Sequence, residues 1–202
     1  ESAMNPISET YNMDCMEYMR QLPDKYFELA IPDCPYGIKD DGRNHLGRIF
    51  KKSGEAIVKR DRRNGEIIKV RPQKYKLNGM YDSEQPSQVY FDELFRVSKH
   101  QIIWGSNYLK FDQKDSSSGM IIWDKVNGNT DQSDCEVAWT NLFSSVRMFS
   151  FMWNGMLQGS GVVNGKTNQG NKALCEERIH PNHKPVALYK WLLSNYAKPG
   201  DK

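Results

Sequence analysis

The sequence predicts an α/β fold. Twice a segment of helical period runs into a short apolar run of strand character, and two more apolar runs of strand length follow before a last helical segment. Alternation of this kind is the pattern of a sheet covered by helices.

The elements follow in order. Asp14 to Leu22 spaces Met16, Met19 and Leu22 as a short amphipathic helix, with Asp14 suited to its N-cap and Pro23-Asp24 ending it in a turn. Phe27-Glu28-Leu29-Ala30-Ile31 is the first strand candidate. Pro86 to Val97 places Val89, Tyr90, Leu94 and Val97 at near-helical spacing, and Gln101-Ile102-Ile103-Trp104-Gly105 reads as a buried strand closed by a glycine. Met120-Ile121-Ile122-Trp123 and Val146 to Phe151 are the remaining strand candidates. Gln158 to Lys172 is rich in Gly, Asn and Ser without a period and reads as a mobile loop. Pro185 suits the first turn of a helix reaching Tyr196, with Val186, Tyr189, Leu192, Leu193 and Tyr196 on one face and Lys198-Pro199-Gly200-Asp201 closing it.

At 202 residues the chain predicts one domain with a continuous core. Apolar runs of only about four to six residues exclude a membrane-spanning helix. Glu1-Ser2-Ala3-Met4 lacks the blocks of a signal peptide and reads as a cloning remnant before Met4, so the expected location is the cytoplasm. Cys15, Cys34, Cys135 and Cys175 form no metal or disulfide pattern, and reduced thiols without a metal are expected. His180 and His183 stand close in sequence, but no further ligand stands near them. The net charge of +3 is unevenly spread: Arg43 to Lys76 holds twelve Lys or Arg against three acids, a net +9, so the remainder is acidic.

The chemistry-bearing stretch is Asp33-Cys34-Pro35-Tyr36-Gly37, directly after the first strand candidate. Ligands of open α/β sheets bind at the carboxyl ends of strands. An exocyclic base amine is a poor nucleophile because its lone pair is delocalised into the ring. Hydrogen bonds from its two hydrogens to a carboxylate and a main-chain carbonyl favour a more pyramidal nitrogen, and Asp33 with the Cys34 or Pro35 carbonyl has those acceptors. Taking a base out of its stack costs a few kcal/mol, and a ring such as Tyr36 returns about 1–3 kcal/mol of stacking. Standing alone, such a tetrapeptide reads as a surface turn.

Its context adds to this. Asn12-Met13-Asp14-Cys15, Leu22-Pro23-Asp24 and Leu29-Ala30-Ile31-Pro32-Asp33-Cys34-Pro35-Tyr36-Gly37-Ile38 together resemble the opening of β-class DNA amino-methyltransferases, which reads G-D-C, L-P, D-P-P-Y-G. His180-Pro181-Asn182-His183-Lys184-Pro185-Val186-Ala187-Leu188 resembles the family's H-P-x-x-K-P-x-x-L segment, and Pro199-Gly200-Asp201 its P-G-D. Phe91 to Val97, Ile121 to Lys125 and Cys135-Glu136-Val137-Ala138-Trp139 are similar to phage-type members, so the resemblance covers roughly residues 11–41 and 86–202.

The resemblance implies a Rossmann-like S-adenosylmethionine-dependent methyltransferase sheet in permuted order, acting as a single catalytic domain on double-stranded DNA and methylating N6 of adenine. By it, Asp33, Cys34, Pro35 and Tyr36 are catalytic, Asp14 and Cys15 lie near the cofactor adenine, and His180, Lys184 and Pro185 near its methionine part. A helix N-terminus at Pro185 also suits the cofactor carboxylate on physical grounds, and equally reads as an ordinary helix start. Two departures stand out. Cys34 replaces the usual proline, preceded by an unusual Pro32, which implies a less rigid loop and an oxidisable thiol. The family's F-x-G-x-G strand should follow Asp201, yet the sequence reaches only Lys202, so a longer parent protein and weak or absent cofactor affinity are expected.

The basic segment, about residues 42–80, reads either as a solvated insertion or as a DNA-backbone contact through Lys51, Lys52, Arg60, Arg62 and Arg63. The five tryptophans read mainly as packing, with Trp153-Asn154 an expected DNA contact at the start of a recognition region of about 150–178. N4 of cytosine is the nearest competing target. A catalytically dead DNA-binding module and a protein side-chain amide methylase are the other readings. The DNA sequence recognised, assembly as a homodimer, and service in restriction-modification or regulation stay open.

Overall fold

The structure is a computed structural model. It describes residues 8–37, 84–112, 117–126, 133–154, 157–159, 175–177 and 182–202, with the backbone alone at 58–60, 67–69, 154 and 157. The chain forms two compact units: Glu1–Cys34, Pro86–Glu176 and Lys184–Lys202 make the first, Pro35–Gln85 and Glu177–His183 the second. In the second, strands β2 (Val58–Arg60) and β3 (Ile67–Lys69) pair antiparallel, Lys59 opposite Ile68. Gln85 Nε2 donates to the Tyr36 carbonyl at 3.0 Å there.

The first unit is mixed α/β, as the alternation predicts. Helix α1 (Cys15–Arg20) leads to β1 (Phe27–Ala30), and α2 (Gln88–Val97) leads to β4 (Ser98–Trp104). Strands β5 (Gly119–Asp124), β6 (Cys135–Thr140) and β7 (Val146–Ser150) follow, then a small antiparallel pair, β8 (Met152–Asn154) and β9 (Leu157–Gly159), and helix α3 (Val186–Tyr196). The sheet order is β1-β4-β6-β5-β7. β1 runs parallel to β4, β5 parallel to β7, and β6 antiparallel to both β4 and β5, so among these five strands β6 alone is reversed. Strand β6 was not among the sequence's strand candidates, although Cys135, Val137 and Trp139 alternate with Glu136, Ala138 and Thr140; its membership is decided by neighbours on both sides.

Register sorts the side chains onto two faces. Trp104 opposes Ala138, which opposes Ile121. These join Ile102, Trp123, Trp153, Leu188 and Leu192 in one buried cluster under α3. Ile103 opposes Trp139 on the other face, where Phe95 of α2 meets the Trp139 ring edge-on at 5.9 Å. Each large side chain so buried contributes about 1.5–3 kcal/mol, the main force holding helices to sheet.

Three local features depart from expectation. β4 begins at Ser98, not Gln101, directly off α2, and Ser98 Oγ donates to the Leu94 carbonyl at 2.5 Å, closing the helix without a loop. Pro185 is the N-cap residue of α3 and fully buried, one position outside the predicted first turn. Gly119 starts β5 where a Cβ would lie 1.9 Å from the Phe143 carbonyl oxygen and 2.7 Å from that of Thr140, so only glycine fits.

The amino ends of β1 and β4 are closed by cations. Lys25 Nζ donates to the Phe95 and Ser98 carbonyls at 2.8 and 3.0 Å. Arg96 reaches the Met19 and Leu22 carbonyls at 2.8 and 2.9 Å and Asp24 at 2.8 Å. Beside them Glu28 accepts from Lys99 Nζ and from the Lys202 main-chain N–H, both at 2.9 Å, while the Glu28 N–H donates to the Lys202 carbonyl. Among the described residues no helix is long and apolar enough to cross a membrane.

Candidate active site

Four strands of the sheet deliver their carboxyl ends to one edge, and reversed β6 delivers its amino end there. That edge is where the polar side chains collect. Beyond β1, the Pro32 carbonyl accepts from Trp104 N–H at 3.2 Å, which keeps the chain against β4 up to Asp33. Past β4, Gly105 turns away at φ +72°, and its N–H bonds the Val137 carbonyl at 2.9 Å. Asp33, Glu136 at the start of β6, Lys125 just after β5 and Lys184 just before α3 thereby converge.

They form a chain of alternating charge. Lys184 Nζ lies 2.5 Å from Asp33 Oδ1 and 3.1 Å from Glu136 Oε2, and Lys125 Nζ lies 2.7 Å from Glu136 Oε1. The Lys184–Glu136 approach is an ion pair without hydrogen-bond alignment, since Glu136 Oε2 has no directed partner among the described residues. Lys184 is the most enclosed, its side chain 4% exposed against 31% for Asp33. Its ammonium stands 5.8 Å from the centre of the Trp104 ring, and Lys125 stands 5.2 Å from that of Trp123. Burial pushes the Glu136 carboxyl up, but the Lys184 and Lys125 ammonium groups more than reverse it and hold it below the usual carboxylate range.

The turn after Lys125 is strained. Val126 adopts φ +47°, a region that a β-branched side chain resists at a cost of about 1–3 kcal/mol. Asp124 holds it there, accepting from Val126 N–H at 2.9 Å and from Ser150 Oγ at 3.0 Å. The indole N–H of Trp104, fully buried, has no hydrogen-bond partner among the described residues.

The sequence-predicted residues fare differently. Asp33 and Lys184, 151 positions apart, are brought together. Lys184, expected near a cofactor's methionine part, has its ammonium engaged by two protein carboxylates. The N-terminus of α3, expected to meet a cofactor carboxylate, meets the carboxylate of Glu176, which accepts from Val186 N–H at 2.9 Å. Gln158 fixes Glu176 through two main-chain bonds at 2.8 and 2.9 Å.

Cys34 is buried and donates to Tyr90 Oη at 3.3 Å, and burial pushes its thiol up to about 11. That makes it a poor source of thiolate, contrary to the oxidisable thiol expected there. Asp14 caps α1 through Met16 N–H at 2.7 Å, and it and Cys15 are exposed. Pro35 and Tyr36 belong to the second unit. Trp153, expected to touch DNA, is 8% exposed inside the core cluster, where its ring has no face to offer a base. The side chain of Asn154, most of the 158–172 loop, His180, Lys51, Lys52, Arg62, Arg63 and the side chain of Arg60 lie outside the described residues.

Sequence reasoning missed Glu136 and Lys125 as site residues, and the signal for Glu136 was present: a lone acid inside the otherwise apolar or neutral run Cys135–Thr140. Among the described residues no group of three or more His, Cys, Asp or Glu is placed to hold a metal ion. Comparison with protein-family models, with curated proteins and with solved structures gave no match. The methyltransferase resemblance therefore stands on the quoted motifs alone.

Proposed function

We propose that the chain is the catalytic part of an S-adenosylmethionine-dependent DNA amino-methyltransferase acting on N6 of adenine, with a Rossmann-like sheet in permuted order. The observation that carries the proposal is the Asp33 carboxylate, set at the edge of a mixed sheet where four of the five strands end and paired with a buried ammonium. Ligand sites of α/β sheets form at that edge, and the residues following Asp33 are those of the D-P-P-Y resemblance. The N4 amine of cytosine presents the same chemistry and is the alternative target within this proposal.

In this role Asp33 accepts one hydrogen of the target amine and the Cys34 or Pro35 carbonyl accepts the other. The resemblance gives Tyr36 the stacking role. When bound, the cofactor supplies an electrophilic methyl group. The described residues fit it in part. Exposed Asp14 and Cys15 are accessible to its adenine end, whereas the Asp33 and Glu136 carboxylates already face Lys184 and Lys125. Of the groups expected to meet the cofactor carboxylate, Lys184 and the α3 N-terminus are both engaged by protein acids.

The test is calorimetric titration of S-adenosylmethionine into this chain and into one extended through the expected glycine-rich strand, followed by methyl transfer to adenine-containing duplex DNA. Binding by the extended chain and transfer that falls at least about ten- to a hundredfold in Asp33→Ala is the expected result, since a charge-assisted hydrogen bond contributes roughly 1.5–3 kcal/mol. Binding by neither chain makes a catalytically dead DNA-binding module the better account. For the DNA contact, neutralising Arg60, Arg62 and Arg63 together should flatten the dependence of DNA affinity on salt, and an unchanged slope removes the basic segment from the interface.

A further inference from the structure

We propose that Glu136 is a positioning residue: it holds the Lys184 ammonium against Asp33, so that the carboxylate presented to an amine keeps one orientation. The proposal rests on the amine-binding reading of Asp33 given above. Lys184 has a long flexible stem and three donors on its head group. With its side chain 4% exposed, water has little access to those donors, and the charge of the ammonium must be balanced by protein groups. Glu136 Oε2 at 3.1 Å supplies the second negative charge, on a side of the head group fixed by β6 rather than by the Asp33 loop.

Glu136 is itself immobilised. Its other oxygen takes Lys125 at 2.7 Å, Lys125 is held by its main-chain bond to the Asp134 carbonyl at 2.9 Å, and the strained turn at Val126 follows at once. A line of fixed contacts thus runs from that turn through Lys125, Glu136 and Lys184 to Asp33. The strand does not need an acid there. Glu136 opposes Trp123 on the face that carries the apolar cluster, where a β-branched residue would suit the strand better and a carboxylate costs free energy unless paired. Among the described residues two carboxylates face Lys184, and loss of Glu136 removes the one that holds its ammonium from the β6 side.

The experiment is nitrogen–proton correlation spectroscopy of lysine ammonium groups in the whole chain, with Lys184→Met used to assign the signal. Only an enclosed, hydrogen-bonded ammonium exchanges slowly enough to be seen. The parent should show the Lys184 signal, Glu136→Gln should lose it with the amide spectrum of the sheet unchanged, and Glu136→Asp should restore it in part. A sharp, unshifted Lys184 signal in folded Glu136→Gln overturns the proposal. Where that variant does not fold, Lys125→Gln frees Glu136 from its anchor and should shift the Lys184 signal; no shift overturns the proposal equally.

In methyl transfer, Glu136→Gln should lower kcat by about tenfold with KM for the cofactor changed by less than about twofold. Transfer by the parent with kcat unchanged in Glu136→Gln sinks the positioning role and leaves the proposed function standing. No transfer by the parent, with the ammonium signal behaving as expected, removes the methyltransferase reading and leaves Glu136 as the residue that sets Asp33.

Discussion

The two ends of β1 and β4 are both closed by charged side chains, and their partners differ in part. At the amino ends Arg96 binds the Glu93 and Asp24 carboxylates, and Lys25 and Arg96 together also bind the carbonyls of Met19, Leu22, Phe95 and Ser98. These lie at the carboxyl ends of α1 and α2, where helices leave carbonyls without internal partners. Such a network is what the helix ends demand, whatever the protein does. At the carboxyl ends, Lys184 and Lys125 face the carboxylates of Asp33 and Glu136. Enclosed ion pairs of that sort hold a fold no better than well-packed apolar side chains of the same volume. The difference teaches where to look for function: the cations at one end also satisfy helix-end carbonyls, a role that the ion pairs with Asp33 and Glu136 at the other end do not have.

The largest effect should separate these two accounts. Lys184→Met leaves Asp33 and Glu136 facing each other without their shared ammonium and should cost about 3–5 kcal/mol, read as a lower denaturant midpoint with the slope unchanged. Adding Asp33→Asn and Glu136→Gln removes the stranded charges, with Lys125 able to turn its head group to water, and most of the lost stability should return. A triple variant as weak as the single one would mean that the carboxyl-edge network holds the fold together, and the contrast between the two ends would disappear.

A smaller effect sharpens the comparison from the amino end. The Lys202 main-chain N–H, with the Lys99 ammonium, holds the Glu28 carboxyl at about 2 against an ordinary 4.5. A lowered folded-state value means that the contribution of Glu28 is complete above the ordinary range and is lost as pH falls from about 4.5 toward about 2. The stability gap between the parent and Glu28→Gln should therefore close across that window in acid unfolding measurements. A gap that stays constant with pH would show that Glu28 acts by packing and not by charge.

Much of the fold was legible where local physics decides it. The helical spacing of Met16 and Met19, the apolar run ending at Trp104, and the helical period from Pro185 to Tyr196 each marked an element within a few residues of its bounds, although on the last helix Val186 and Leu193 of the expected face are exposed and Leu188 is buried instead. Strand β6 was not assigned from sequence, because six residues with a charged member are weak evidence for a strand and its place is set by the strands on either side. Of the candidate site, Asp33 and Lys184 were picked out by motif, but their contact was not, since nothing local links positions so far apart. Lys125 and Glu136 were invisible as partners for the same reason. Trp153 shows the converse: its neighbours in sequence suggested an exposed recognition loop, and its neighbours in space bury it.

Gly119 attracted no notice as a motif residue, yet the crowding of its α-carbon by the Phe143 and Thr140 carbonyls leaves no room for any side chain. Variation at that position is closed by sterics alone, independently of substrate, cofactor or partner. In any set of descendants of this chain, whether active or decayed, Gly119 is thus a marker of the fold's ancestry that would outlast the loss of its chemistry.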